Sequence, residues 1–524
     1  MMGQKVFQEK FFYDFRLSQK VPEDHILRRL DQVVDLSFVR GLTAPYYSHT
    51  GHPSIDPVVL FKMTLLGYLY GITSERKLAE ECGLNLAFMW YLGYDVDEPT
   101  PDHSVISKAR SRYGKETFEK FFERILELCV KAGLVSGEKV FADSTLIRAN
   151  ASLKSVVPRS DAFQPPRSPK EHVEQVFTEN VVPNEEEPVL ASAEVATQGA
   201  EAGAVGGSVA LFVLPEDGQK GESGEATALP APVRRGRPAK PKQGYNERYV
   251  SKTDPDASVV SRPIIGKGLF YKQHFTVDSS RVITAVQVTP AAVEDYTQVG
   301  ELLNKQPIVP KRFCADSHYG VPEVYGELKR RGILPTIPRR SSHTQKPRPG
   351  HLPVSAFRYD PEKDVYLCPQ NKPLRRAAFE AKWQRYHYRP RHSDCQGCFL
   401  RKACATEKSV RTIVRAKEEQ ALAWAMDHLR SPESRGILTE RSVCAEGVVG
   451  EAKVSHGLRR ATCRGVDKVT IQAVLTATVQ NLKRLVHSKA CCLRENIRLA
   501  HQCLFRFIFL LASRNGSATA PYQL

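Results

Sequence analysis

The tripeptide Ala-Asp-Ser occurs twice in this chain, each time after a short hydrophobic run that reads as a β-strand. The first copy lies in GEKVFADSTLIRANAS, where the strand is expected to end on Asp143. Val140 and Ala142 then face one way, and Phe141 and Asp143 the other. The second lies in KRFCADSHYGVPEVYGELKRRGILPTIPRR, with a strand over 311–315 ending at Asp316, a helix from Val321 to Arg331 and a strand from Ile333 to Ile337. A lone Asp at such a place is more often a turn or cap residue. A carboxylate at the carboxyl end of an α/β strand, however, faces the crevice where such sheets bind ligands. Two of them, joined by an acid from a helix, can hold a pair of divalent metals for phosphodiester chemistry.

The size, 524 residues, predicts two to four domains, each burying its own core. A net charge of +17 favours a polyanionic partner, nucleic acid above all, over the plainer reading of a basic housekeeping enzyme. MMGQKVFQEKFFYDFR has no apolar core and does not read as a signal peptide. CLFRFIFLLA is too short for a membrane span and carries Arg506. The expectation is a cytoplasmic protein with no membrane partner, its twelve Cys reduced or bound to metal.

Residues 1–135 read as a helical DNA-binding domain. HILRRLDQVVDLSFV has helical spacing, Asp56 and Pro57 start VVLFKMTLLGYLYGI, and TSERKLAEECG is a short helix closed by Gly83. HSVISKARSRYG follows, with Lys108, Arg110 and Arg112 offered to DNA, and then KETFEKFFERILELCVKAG. Short helices with tight turns fit a helix-turn-helix-like module, or an ordinary bundle with solvated basic residues. Residues 136–152 hold the first strand. The segment 153–245 is rich in Pro, Gly, Ala, Ser and Glu, so it is expected to be a disordered insertion. Its basic end, with Arg235 and Arg237 in Arg-Gly-Arg-Pro, suits minor-groove DNA contact or a solvated linker.

Order resumes over 246–338. GLFYKQHFTVD and RVITAVQVTP alternate as a β-hairpin, and VEDYTQVGELLNKQ reads as a helix. With the insertion removed the order is β-β-β-α-β, that of an RNase H-like fold. Residues 339–416 form a second, basic insertion. Cys368, Cys395, Cys398 and Cys404 there suit a structural Zn(II), with four reduced thiols as the alternative. Between them, Arg and Lys alternate with Trp383, Tyr386 and Tyr388, which suits nucleic-acid tracking or a packed basic hairpin. Residues 417–487 are helical and carry Glu446 and, seven residues on, Lys453 on one face. Residues 488–524 read as a helical tail.

The ordered set GHPSIDPVVLFKMTLLGYLYGI, FADSTLIRANAS, SKTDPDA, GLFYKQHFTVD, ADSHYG, the Cys cluster, AEGVVGEAKVSHGLRRATCRG and QNLKRL resembles bacterial insertion-sequence transposases of the DDE type, in the IS-eleven-eighty-two-like branch. The resemblance implies an α/β, RNase H-like catalytic core interrupted by two insertions, with an all-α N-terminal domain. It implies a catalytic and metal-binding triad of Asp143, Asp316 and Glu446, with Lys453 matching the downstream Lys of a V-E-x-x-F-G-x-x-K-like motif. Ala445 and Val449 replace the usual Val and Phe, leaving Glu451 as a rival third acid. Two Mg(II) ions, or Mn(II), would serve cleavage and strand transfer on double-stranded transposon ends and target, by a homodimer or higher oligomer. The alternatives are a non-catalytic DNA-binding derivative and an RNase H-like nuclease that cuts without joining.

Overall fold

The computed structural model describes residues 16–48, 50, 54–162, 244–340, 351–405 and 409–488. The chain divides into two units, Met1–Pro158 with Tyr249–Leu524, and Arg159–Arg248. Of the second, the short helices Arg159–Ala162 and Tyr245–Arg248 are described. The ends of the 153–245 segment are thus structured; the expected disorder and the Arg235/Arg237 element lie, for residues 163–243, outside the described residues.

The N-terminal part is helical for reasons visible in its caps. Asp56 accepts from the Val58 amide at 2.9 Å and Pro57 opens the helix Pro57–Leu69. Ser74 caps Glu75–Leu84, which runs through Gly83 instead of stopping there. Asn85 ends that helix and accepts from Ala87 and Phe88 to start Leu86–Leu92, which closes on Gly93 at φ 84°. The helix Ser104–Lys131 is broken at Gly114 (φ 68°, ψ 177°), giving the two segments expected there. Phe61 packs between Phe118 and Phe121 at centroid distances of 5.2 and 4.8 Å. Each such buried ring contributes roughly 1.5–3 kcal/mol.

The central sheet holds β1 (Lys139–Arg148), β4 (Ser258–Arg262), β5 (Gly266–Asp278), β6 (Ile283–Pro290), β7 (Arg312–Cys314) and β8 (Leu334–Thr336). Its order is β4-β5-β1-β7-β8, with β6 also on β5. The short ribbon of β2 (Val156–Pro158) and β3 (Tyr249–Ser251) pairs Pro158 with Tyr249, closing the chain where it leaves for and returns from residues 159–248. β1 does not end at Asp143. It pairs antiparallel with the long β5 from Val140↔Asp278 to Arg148↔Phe270, and that partner carries it five residues further.

Both faces of the sheet are covered. Phe141, Ile147, Phe275 and Val277 join the N-terminal helices and the helical residues 466–488 in one core. Val140, Ala142 and Phe313 pack on the other face with helices Pro322–Arg330 and Glu419–Leu429. Asn481, fully buried, accepts from the Ile283 amide and donates to the Ile283 carbonyl, both at 2.8 Å, and so fastens the last described helix to β6. Each bond contributes about 1 kcal/mol.

A second sheet, order β13-β12-β11-β10-β9, is antiparallel throughout: β9 (Arg358–Asp360), β10 (Val365–Leu367), β11 (Pro373–Glu380), β12 (Arg385–Arg389) and β13 (Ile413–Ala416). Tyr366, Leu374, Tyr388 and Ile413 are its core. Among the described residues no helix is long and apolar enough to cross a membrane.

Candidate active site

β1 and β7 run parallel, in register from Lys139↔Arg312 to Phe141↔Cys314. Asp143 and Asp316 each lie two residues past the last pair. Phe141 and Cys314 share one core cluster, so the two Asp follow on that same face. β7 stops at Cys314 while β1 continues, and the gap beside β1 opens where Asp143 stands. Asp316 turns the chain: its carboxylate accepts from the His318 amide at 2.9 Å and lies 3.1 Å from His318 Nδ1.

Burial pushes the Asp143 carboxyl above its ordinary value, and the charges of Asp316 and Asp295 push it further. The Ser144 amide and the Arg441 guanidinium, 3.4 Å from Asp143 Oδ2, oppose that rise. Sequence reasoning missed Asp295. It sits after β6, buried, 3.2 Å from Lys272 Nζ and 3.4 Å from His274 Nδ1, both on β5. Burial pulls the His274 imidazole down to about 4, with Lys272 in the same sense and Asp295 against it. Tyr319 is wholly buried amid these carboxylates, and burial raises its phenol far above the ordinary value. Asp143 is thus set between like charge from Asp316 and Asp295 and the Arg441 guanidinium, while Asp295 is itself matched by Lys272.

The helix Pro432–Arg441 is tied across the sheet by Lys139–Glu440 at 2.6 Å, Arg312–Glu433 at 3.2 Å and Asp143–Arg441. It passes directly into a π-helical stretch, Ser442–Glu446, packed under by Cys444 and Ala445 in the Phe141 core. A π turn bonds residues five apart, so Glu446 is rotated less far from Arg441 than five residues of α-helix would carry it. Glu446 itself is exposed. The rival Glu451 is occupied: Lys483 at 2.6 Å, Arg484 at 2.7 Å and His456 at 3.4 Å hold it. It is half-buried, and those three partners override the burial to keep its carboxyl well below the ordinary range. Lys453 lies half-buried beside β1, its amine lowered by burial and by Arg459.

The N-terminal basic residues are not equivalent. Lys108 and Arg112 are exposed one turn apart, Arg112 lying over the Tyr47 ring at 5.5 Å. Arg110 is largely buried, paired with Glu75 at 2.5 Å and reaching Cys463 Sγ at 3.0 Å. Tyr388 is buried in its sheet and Tyr386 packs with Phe379 and Arg376, so these aromatics are engaged within the sheet. Cys368, Cys395, Cys398 and Cys404 line a single cavity of about 40 Å³. Burial raises the Cys395 and Cys404 thiols, and the neighbouring thiolates raise them further. Among the described residues no group of three or more His, Cys, Asp or Glu side chains is placed to hold a metal ion.

Two family models match the chain. Residues 15–112 match a Transposase domain (DUF772), and residues 367–486 a Transposase DDE domain. Both are transposase domains, and together they support an insertion-sequence DDE transposase. The DDE match spans the four Cys, Glu446 and Lys453, and ends short of Asp143 and Asp316 on the N-terminal side. No curated protein and no solved structure matches the chain.

Proposed function

We propose that the chain is a metal-dependent DNA transposase of the IS-eleven-eighty-two-like branch, which cuts transposon ends and joins them to target DNA. The observation that carries this is that Asp143 and Asp316 each follow the Phe141↔Cys314 pair of the parallel strands β1 and β7 by two residues, near enough for the Asp316 charge to raise the Asp143 carboxyl. The order β6-β5-β1-β7-β8, with β5 antiparallel to β1, supports an RNase H-like core. Asp143, Asp316 and Glu446 are the residues that would hold two Mg(II) or Mn(II) ions. Bound metal supplies activation of the attacking hydroxyl and stabilisation of the leaving oxygen. Asp143 is half-buried and central in β1, and Asp316 and Glu446 would complete the ligand set. Arg441 balances the carboxylate charge and Lys453 would contact a DNA phosphate. His318 steadies the Asp316 carboxylate. No covalent protein–DNA bond is involved, and the protein works on DNA as a dimer or higher oligomer in the cytoplasm.

The four Cys line one cavity and would supply the donors of a structural Zn(II) drawn in around it. A Cys₄ donor set is what such a site uses, and a central cation would reverse the mutual repulsion of the thiolates. Their role would be to hold the 393–405 turn against β10 and β11.

The deciding assay incubates the full chain with supercoiled DNA carrying the sequences that flank its coding region. Nicking that needs Mg(II) or Mn(II), followed by strand-transfer products, is expected. Nicking without joining would favour a nuclease; DNA binding with neither would favour a non-catalytic derivative.

A further inference from the structure

β4 and β5 are joined by a three-residue turn, Pro263-Ile264-Ile265, that returns through Gly266 at φ 70°. The glycine supplies the left-handed residue such a turn requires. Folding therefore asks for small polar residues at the tip, and this chain places two β-branched apolar ones there. Ile264 is 98% exposed, above every other large apolar side chain described, and Ile265 is 45% exposed. Neither belongs to any of the hydrophobic clusters.

The tip does not stand alone. It forms one end of a groove of about 700 Å³ whose other end is Ser144 and Thr145, next to Asp143. Arg148, Arg262, Lys453 and Arg459 line the groove, and no carboxylate does. Among the described residues none of these four forms a salt bridge with an acid. Arg459 is brought there by the backbone: the Arg148 amide donates to the Arg459 carbonyl at 3.2 Å, and the Ala461 amide to the Arg148 carbonyl at 2.8 Å. Four unneutralised cations along a channel ending at exposed apolar side chains match a phosphate backbone with stacked bases beside it.

We propose that Ile264 and Ile265 form a wedge that enters a base step of duplex DNA held in this groove. The identification of DNA as occupant rests on the transposase reading above. Apolar wedges of this kind unstack one step and kink the duplex. β5 pairs Phe275 with Asp143, and Gly266 is nine residues away along the same strand, so the wedge acts about 30 Å from that carboxylate. The distortion should fall within about nine base pairs of the cleaved phosphate.

The test uses the full chain, without divalent metal, and two short duplexes of one sequence, one carrying two adjacent mismatches. Unstacking is already spent in the mismatched duplex, so wild type should bind it about tenfold tighter. A 2-aminopurine placed beside the entered step should brighten on binding. The double variant I264A/I265A should keep its thermal midpoint but bind both duplexes alike without brightening, while I264L retains the preference. R262A/R459A should weaken both duplexes equally and flatten the salt dependence by about two units of slope. Equal binding of the two duplexes by wild type, or a preference that survives in I264A/I265A, overturns the wedge. So does loss of self-association in that variant, by sedimentation, with unchanged discrimination; the tip would then be a contact between copies. Nicking with Mg(II), read on the same preparations, separates the two readings. Discrimination without nicking leaves the wedge standing and removes the cleavage reading; nicking without discrimination does the reverse.

Discussion

Asp143 within β1 and Asp316 just past the end of β7 each lie two residues beyond the Phe141↔Cys314 pair of these neighbouring parallel strands. Backbone register, not side-chain adjustment, sets their spacing, so replacing either carboxylate by its amide leaves the frame intact. Asp143→Asn and Asp316→Asn should each lower metal-dependent cleavage by at least about a thousandfold, the several kcal/mol of a lost metal ligand. DNA affinity in the absence of metal should hold, as measured by gel shift.

Glu446 and Glu451 separate chemistry from scaffold. Glu446 is exposed with no ion pair among the described residues, so Glu446→Gln should abolish cleavage with little change in thermal midpoint. Glu451 gathers Lys483, Arg484 and His456, and Glu451→Gln leaves those cations unmatched. It should cost about 2 kcal/mol after allowance for partial exposure, read by denaturant melts. A cleavage defect in Glu451→Gln at full stability would exchange the two roles.

The buried His274 imposes a pH window. Its folded value is lowered to about 4 from an ordinary 6.5, so the unfolded chain binds the extra proton between them. Its contribution is fully present above about 6.5 and is lost as pH falls through the window, at up to about 1.4 kcal/mol per pH unit. Urea melts from pH 7 to 4.5 should show this slope, and His274→Asn should reduce it.

Residues 159–248 leave and return through one strand pair, Pro158 and Tyr249. Replacing them with Asn-Gly closes that ribbon as a two-residue hairpin. The shortened protein should be folded, with metal-dependent nicking within about threefold of the full chain. An aggregated product would show that the segment supports the fold.

Metal analysis of protein purified without chelator should give about one zinc per chain, and Cys395→Ser should lower it. Zinc content unchanged in that variant would count against the four-Cys site.

Much of this was legible locally. The cap at Asp56, the break at Gly114 and the β5–β6 hairpin follow from turn chemistry and alternation within a few residues. What was not legible depends on distant partners. β1 outruns Asp143 only because β5 is thirteen residues long. Gly83 looked like a stop, but Asn85 is better placed to cap on both sides. Asp295 is held by Lys272 and His274 of β5 and reaches Asp143 only through its charge, and no spacing in the chain announces it. Arg110 looked available for DNA until Glu75 and Cys463 closed on it. The π turn before Glu446 has no signature in SVCAE that we can identify.

The fastening of Asn481 onto Ile283 has a consequence in time. Helical residues 466–488 complete the same core that holds Phe61 and Phe141, so that core cannot close until nearly all of the described chain exists. At ordinary synthesis rates Phe141 waits roughly 20–70 s for its last neighbours. A chain cut short before residue 466 would keep both Asp residues and yet leave an open apolar face, a species destined for proteolysis or aggregation. Truncation should therefore silence this protein through its folding, well before it touches its chemistry.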